Sequence, residues 1–526
     1  MQSKKWSRVL AAALLMASPW ALAENGGSDS MLRVRLSSDI RSTDPGTNRD
    51  DNTDAVVQHV VEGLVALRED TTVGPMLASK IDVSSDGLRY TFTLREGVHF
   101  HNGALLTAAD VVWAWHRYLD PATGWRCLND FDGRGLTKLL SVEATNPHTV
   151  VFTLERPTNL LLATMARTDC GGTAIVHRSS VGPDGKWIAP IGTGPFRFVD
   201  WKRGQYIDLA RFAGYASLPG ERDGYTGGKK AEVDRLRFMV IPDEVTGKTA
   251  LFSGAIDVFN EARSGDVGEI RKNPGTTIAM APAMDMFALL IQTRDPLLKD
   301  ARIRKALALS LDTGDIAWAV TEGASKVNNS VIPGSSPYYD AVQATGFKRN
   351  LAEARKLLAQ AGYKGQPIKL ITNKRHSECF DSAVLIQAMA AEAGIVIELE
   401  VLDWATQLDR YAKGRYQTMA FNYSARFDPS FSYEMVSGNK DKQPRKIWDD
   451  PQVESLLARS TQTLDHALRQ ALFDQLHRKM LEDVPLIVLF NSSDTVGLRR
   501  SVVGFKPWAP AKPRLWNVRV LTQKAD

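Results

Sequence analysis

The segment that most limits the fold lies between residues 368 and 402. Ile368-Lys369-Leu370-Ile371 reads as a strand, Asp381 to Ala393 as a helix closed by Gly394, and Ile395 to Leu402 as a near-continuous apolar strand. Two strands separated by a helix need a crossover, which sets them parallel in one sheet. The order therefore predicts a βαβ unit, a partly parallel sheet and an α/β fold.

Other elements are legible in both halves. Leu32 to Leu36 alternates apolar and polar, as a half-buried strand does. Asp54 through Leu67 reads as a helix ending near Gly63, followed by a short apolar step. Asp86-Gly87 marks a hairpin turn before the alternating Tyr90 to Leu94. Thr107 opens a helix with Asp110 three residues on, suited to the free N–H groups and positive end of its first turn. Strands follow at Tyr206 to Leu209 and Leu236 to Ile241, and helices at Lys248 to Gly254, Asp300 to Leu311 and Leu351 to Ala361.

Length sets the scale: 526 residues correspond to about two to four domains. A hydrophobic fraction of 44% excludes general disorder. Three cysteines exclude a disulfide-dense scaffold. Cys127 and Cys170 are candidates for one bridge, with Cys379 left over; the alternative is three buried thiols.

Lys4, Lys5 and Arg8 lead into the apolar run Val9 to Met16, and Ala21-Leu22-Ala23 supplies small residues for cleavage before Glu24. That is the pattern of a secretory signal over residues 1–23. The run is shorter than the ~20 residues a spanning helix needs. The leader holds three of the chain's +5 formal charges and no acid, leaving +2 on the mature protein. So small a charge gives no argument for nucleic acid as a partner. An exported chain with this leader is expected in a periplasm, where disulfides persist.

Motifs for chemistry are weak. Gly192-Thr193-Gly194-Pro195 lacks the Lys-Ser/Thr of a phosphate loop, and Pro195 removes a donor, so a structural turn is expected. His99 and His101 share a strand face, but two ligands do not make a metal site. Arg375-His376-Ser377-Glu378-Cys379 is read as a polar loop, surface or ligand-facing, and not as a catalytic one. No nucleophile, base and orienter converge to suggest a hydrolase.

Several blocks together carry a family resemblance. Asp86 to Gly103 is followed by Thr107-Ala108-Ala109-Asp110-Val111, then by Ile191-Gly192-Thr193-Gly194-Pro195-Phe196 with Trp201 and Gly204, then by Asp300 to Leu307 before Asp312. In this order they resemble the family 5 extracellular solute-binding proteins, the peptide, opine and nickel class serving ABC importers. The resemblance implies an α/β, two-lobed periplasmic binding protein fold that closes like a Venus flytrap, with an extra domain in the first lobe. It implies a first lobe of residues 24–58, 190–275 and 491–526, an extra domain of 59–189 and a second lobe of 276–490. Ligand would stabilise a closed form by touching both lobes, and that form would dock on an inner-membrane ABC permease. No cofactor, covalent chemistry or stable oligomer is implied. A periplasmic chaperone or a receptor for a membrane sensor is the remaining alternative.

Many peptide-binding members carry, in the second lobe, a Gly-Trp, then an Asp that pairs with the peptide amine, then Asp-Pro. Here the segment is Asn422-Tyr423-Ser424-Ala425-Arg426-Phe427-Asp428-Pro429, with an Arg near the amine-pairing position. It looks more like the branches that bind glutathione, opines or sugar phosphates. A guanidinium suits a carboxylate or phosphate, so Arg426 argues for an anionic group on the ligand; the alternative is an internal pair with Asp428. Tyr423 is expected to stack or donate its hydroxyl, Trp404 to form an apolar wall, and Asn422, Ser424 and Asp428 to complete the site, Asp428 mainly by shaping its turn. The ligand expected is a small anionic solute: an opine, a sugar-phosphate conjugate or a modified short peptide. A di- or oligopeptide comes next and a metal chelate third.

Overall fold

The computed structural model describes residues 30–48, 50–135, 137–424 and 426–521. The leader read over residues 1–23 lies outside them.

Ten strands form one mixed sheet that runs through most of the molecule. At its centre lie two long antiparallel strands, Thr276–Ile291 and Leu486–Arg499. Thr276 to Pro282 pair with Arg499 to Ser493, and Met286 to Leu290 pair with Asn491 to Leu486. Between these stretches the register slips, so Ala283, Met284 and Asp285 stand opposite Ser492 alone. The two strands thus belong to both halves of the sheet, with a bulge where they pass from one to the other.

One half adds Val258–Phe259, Met31–Leu36, Arg235–Val240, Tyr206–Arg211 and Phe196–Lys202. Its core gathers Leu32, Val34, Ile207, Leu209, Leu236 and Phe238. The other half adds Thr418–Tyr423, Ile368–Thr372 and Ile397–Val401. Side chains alternate between sheet faces with period two. Leu289 and Ile291 meet helices Ala301–Ser310, Leu351–Gln360 and Ser377–Glu392, while Ala288 and Leu290 meet Pro451–Gln462 and His466–Asp483.

A separate antiparallel sheet of four strands, ordered Ala78–Val83, Arg89–Leu94, Thr149–Leu154 and Leu139–Asn146, packs on helix Ala108–Leu119. The helix start follows the expected capping pattern: Asp110 Oδ2 accepts from Thr107 N at 2.9 Å. Trp115, fully buried, is ringed by Tyr118, Trp125, Phe131 and Phe152 in edge-to-face contacts. Beside it Cys127 is bonded to Cys170, with Cα atoms 5.6 Å apart, and Cys379 is a buried free thiol.

The βαβ unit is present, with Ile368–Thr372 and Ile397–Val401 parallel neighbours. Its helix starts at Ser377, so Ser377, Glu378 and Cys379 form a first helical turn and not a loop. The helix expected from Asp54 to Gly63 is instead Asp51–Val57. Asp50 caps the amides of Asn52 and Thr53, which moves the start back, and the chain turns after Gln58. Gly63 serves close packing: a Cβ there would run into the Gly172 carbonyl. Gly192 does the same against Val60, which explains the Gly-Thr-Gly-Pro turn. His99 and His101 each meet a backbone carbonyl, of Gly97 and Gly194.

Candidate functional site

Between the two halves of the large sheet lies a cavity of about 740 Å³. Its floor is the bulge of the central strands, where Asp285, Phe287, Phe490 and Ser492 to Thr495 face it. One wall comes from the end of strand Met31–Leu36, the start of helix Asp51–Val57 and the disulfide-linked loops. The other comes from His376, Glu378, Ser424, Arg426 and Phe427. Eight carboxylates and six basic side chains line it, so it suits a ligand that carries charge of both signs.

The basic pole is built across the cleft. Arg167 reaches Asp169 through Nε at 3.1 Å and Nη2 at 2.9 Å, and Asp130 through Nη1 at 2.6 Å. Arg126 reaches the same Asp169 at 3.3 Å. Arg426, from the opposite wall, donates Nη1 to Ser424 O at 3.1 Å and Oγ at 3.2 Å and interacts electrostatically with Asp169. Burial raises the Asp169 carboxyl, but Arg167, Arg126 and Arg426 overcome it and hold the group well below the usual carboxylate range. Three guanidiniums thus converge on Asp169, with Asp130 beside Arg167.

The opposite pole sits near the floor. Asp494, pushed up to about 6 by burial, accepts from Trp508 N at 3.1 Å. Lys512 pairs with Asp51 at 2.6 Å. The Arg35 guanidinium is committed to the carbonyls of Ile241, Asn260 and Pro242. Glu261 holds a left-handed backbone, φ +57°, at the cavity edge.

Of the residues singled out in the sequence, Ser424 and Arg426 line the cavity. Tyr423 is buried beneath it, its ring against Phe421 and its hydroxyl 3.2 Å from that of Tyr411. Asn422 pairs with Phe287 in the sheet. Trp404 stacks on Phe421 and meets the ring of His376, which itself faces the cavity, so Trp404 backs the wall. Asp428 is buried, caps helix Pro429–Val436 and accepts from Arg469 Nη2 at 2.8 and 2.9 Å. It does not line the cavity, and Arg469 together with the Ser430 amide holds its carboxylate. Arg126, Arg167, Asp169, Asp494 and Lys512 were not anticipated. Two of them had a signal: Arg126 adjoins Cys127 and Asp169 adjoins Cys170.

A charged cavity between two lobes, joined by two strands with a shared bulge, defines a protein that captures a solute by closing on it. The chain belongs to the bacterial extracellular solute-binding proteins, family 5, whose middle region matches residues 72–444. Members of this family capture a solute and deliver it to a membrane ABC permease, and this chain is the solute-binding component of such an importer. A probable D,D-dipeptide-binding periplasmic protein of Escherichia coli K12, DdpA, is 23% identical over 97% of this chain and 98% of its own length. The structure of HbpA2 from Haemophilus parasuis superposes with a TM-score of 0.81 at 24% identity, covering 94% of this chain and all of that one. The structure of AgaA from A. tumefaciens R10, in complex with agropinic acid, gives 0.73 at 24% identity over 94% of this chain and 99% of that one.

Proposed function

We propose that this protein captures, in the periplasm, a small anionic solute that also carries an amine, such as an opine or a modified short peptide. One observation carries the reading: the guanidiniums of Arg126, Arg167 and Arg426 converge on Asp169 from both sides of the cavity. A carboxylate seated there touches both lobes at once and so favours the closed form. Asp494 and its acidic neighbours near the floor suit the ligand's amine. A sugar phosphate satisfies the basic pole but brings no cation to those carboxylates. An ordinary dipeptide meets both poles and is the second reading. The relatives named for a D,D-dipeptide and bound to agropinic acid support the same range.

The proposal includes a cleaved leader of residues 1–23 and no covalent step on the solute. It also includes a monomer with a first lobe of residues 24–58, 190–275 and 491–526, an extra domain of 59–189 and a second lobe of 276–490. Native mass spectrometry of the mature protein from its own periplasm tests the ligand class. A single multi-carboxylate compound, released on denaturation, is the expected result. A ladder of peptides with varied side chains overturns it in favour of backbone recognition.

A further inference from the structure

The lobes also meet at residues that do not line the cavity. Asn159 lies between strand Thr149–Leu154 and helix Leu161–Met165, on the side of the four-stranded sheet. Its backbone N–H donates to Thr461 O at 2.9 Å. Its side-chain amide donates to Ser460 O at 2.9 Å and to Thr463 O. All three acceptors are carbonyls at the end of helix Pro451–Gln462, in the second lobe. The last carbonyls of a helix have no intrahelical donors and sit at the negative end of its dipole. One residue of the opposite lobe thus supplies three donors to this terminus.

Both sides of the contact are fixed. Tyr90, from the buried face of the four-stranded sheet, donates its hydroxyl to Thr158 O at 2.6 Å and anchors the loop. Asn159 Oδ1 is buried without a hydrogen-bond partner among the described residues. Turning the amide over would aim that oxygen at the helix carbonyls, so the donor-inward orientation is set. On the helix side, Arg469 Nε donates to Ser460 O at 3.0 Å while its Nη2 holds Asp428, two residues from Arg426. The contact is therefore connected by hydrogen bonds to the ligand-facing segment. Arg167 over the Phe431 ring, 5.9 Å from its centroid, and Phe427 against the core around Trp125 complete the same seam.

We infer that Asn159 is an interlobe latch: it caps helix Pro451–Gln462 from the facing lobe and holds a closed population without ligand. The inference rests on lobe closure and not on the ligand class proposed above. Affinity is then set partly by a residue that touches no solute, because the latch changes the fraction of protein already closed.

Spin labels at Glu143→Cys and Gln475→Cys, both exposed, report the lobe separation by double electron–electron resonance. Cys379 is buried and the other cysteines are bonded, so labelling is confined to the new thiols. The measurement uses the mature chain, dialysed free of solute. The wild type is expected to show a short-distance population, and Asn159→Ala to lower the closed-to-open ratio by about tenfold or more. Asn159→Asp should open it at least as far, since its carboxylate would face helix carbonyls. A wild type wholly open without solute overturns the inference. So do variants that melt earlier but keep the wild-type distances, which marks Asn159 as structural only. Since no ligand enters the measurement, the result is independent of whether the proposed solute class is right.

Discussion

At Arg426 burial and charge oppose each other: burial lowers the guanidinium's pKa, and Asp169 on the facing wall raises it. A ligand carboxylate adds a further opposing charge and forms charge-assisted hydrogen bonds that water satisfies less well inside the cleft. Arg426→Ala is expected to weaken binding of the copurifying solute about 30- to 100-fold, and Arg426→Lys to recover part of it. Titration calorimetry checks this, and wild-type affinity in the alanine variant would remove Arg426 from the site. Asp54 gives a second test. It is buried, neither carboxyl oxygen has a hydrogen-bond partner among the described residues, and burial pushes its pKa up to about 8. The folded state therefore keeps a proton that the unfolded chain releases near pH 4. This group's contribution to stability is full below that pH, falls as pH rises to about 8, and is flat beyond. The difference in melting temperature between Asp54→Asn and wild type should grow in the variant's favour from pH 5 to pH 8. Parallel profiles would mean that Asp54 is ionised in the folded protein.

Elements were more legible than their junctions. The strand–helix–strand order at 368–402 fixed a parallel pair, because a crossover helix leaves no other arrangement. The helix at 108–119 was readable because Thr107, Asp110 and its apolar stripe all specify the same start. The helix at 51–57 was misplaced because its start depends on the Asp50 cap and its end on tertiary packing, where Gly63 meets Gly172. The site was legible only where its residues are local. Ser424 and Arg426 stand in one motif, whereas Arg126 and Asp169 lie 43 residues apart and Lys512 more than 300 residues further on, and only the fold brings them together. Asp428 misled because its partner, Arg469, lies 41 residues on in another helix. That pair makes an element-scale prediction. Arg469 joins Asp428, Ser460 O and the Tyr338 hydroxyl, and thereby binds three helices and a loop. Arg469→Met leaves a buried carboxylate without its counter-ion and should destabilise the protein by about 3–5 kcal/mol in urea unfolding. Arg469→Met combined with Asp428→Asn should recover much of that loss; if it does not, the packing of Arg469 matters more than its charge.

For the whole molecule, the question is where a continuous ten-stranded sheet can bend. Regular ladder resists rotation, since every pair of strands shares hydrogen bonds along its length. The central strands break that regularity most between the lobes, where Ala283 to Asp285 stand opposite Ser492, and slip by one residue again between Phe287 and Ala288. There the local bonds replace the ladder: Asn491 Nδ2 donates to Asp285 O at 3.2 Å, and Met284 N donates to Ala509 O at 3.0 Å in the C-terminal segment. Trp508 of that segment is in turn held by Asp494, on the cavity floor. The bulge is thus the bendable point, and its brace runs through Asp494, which lines the cavity. Closure on solute should therefore slow hydrogen exchange at Ala283 to Met286 and Ser492, and leave the paired runs Ile278 to Ala281 and Ala288 to Leu290 nearly unchanged. Exchange mass spectrometry with and without the copurifying solute resolves these peptides. Protection spread evenly along both strands would mean that the sheet bends as a whole, and the bulge would then be a packing feature of the cleft floor.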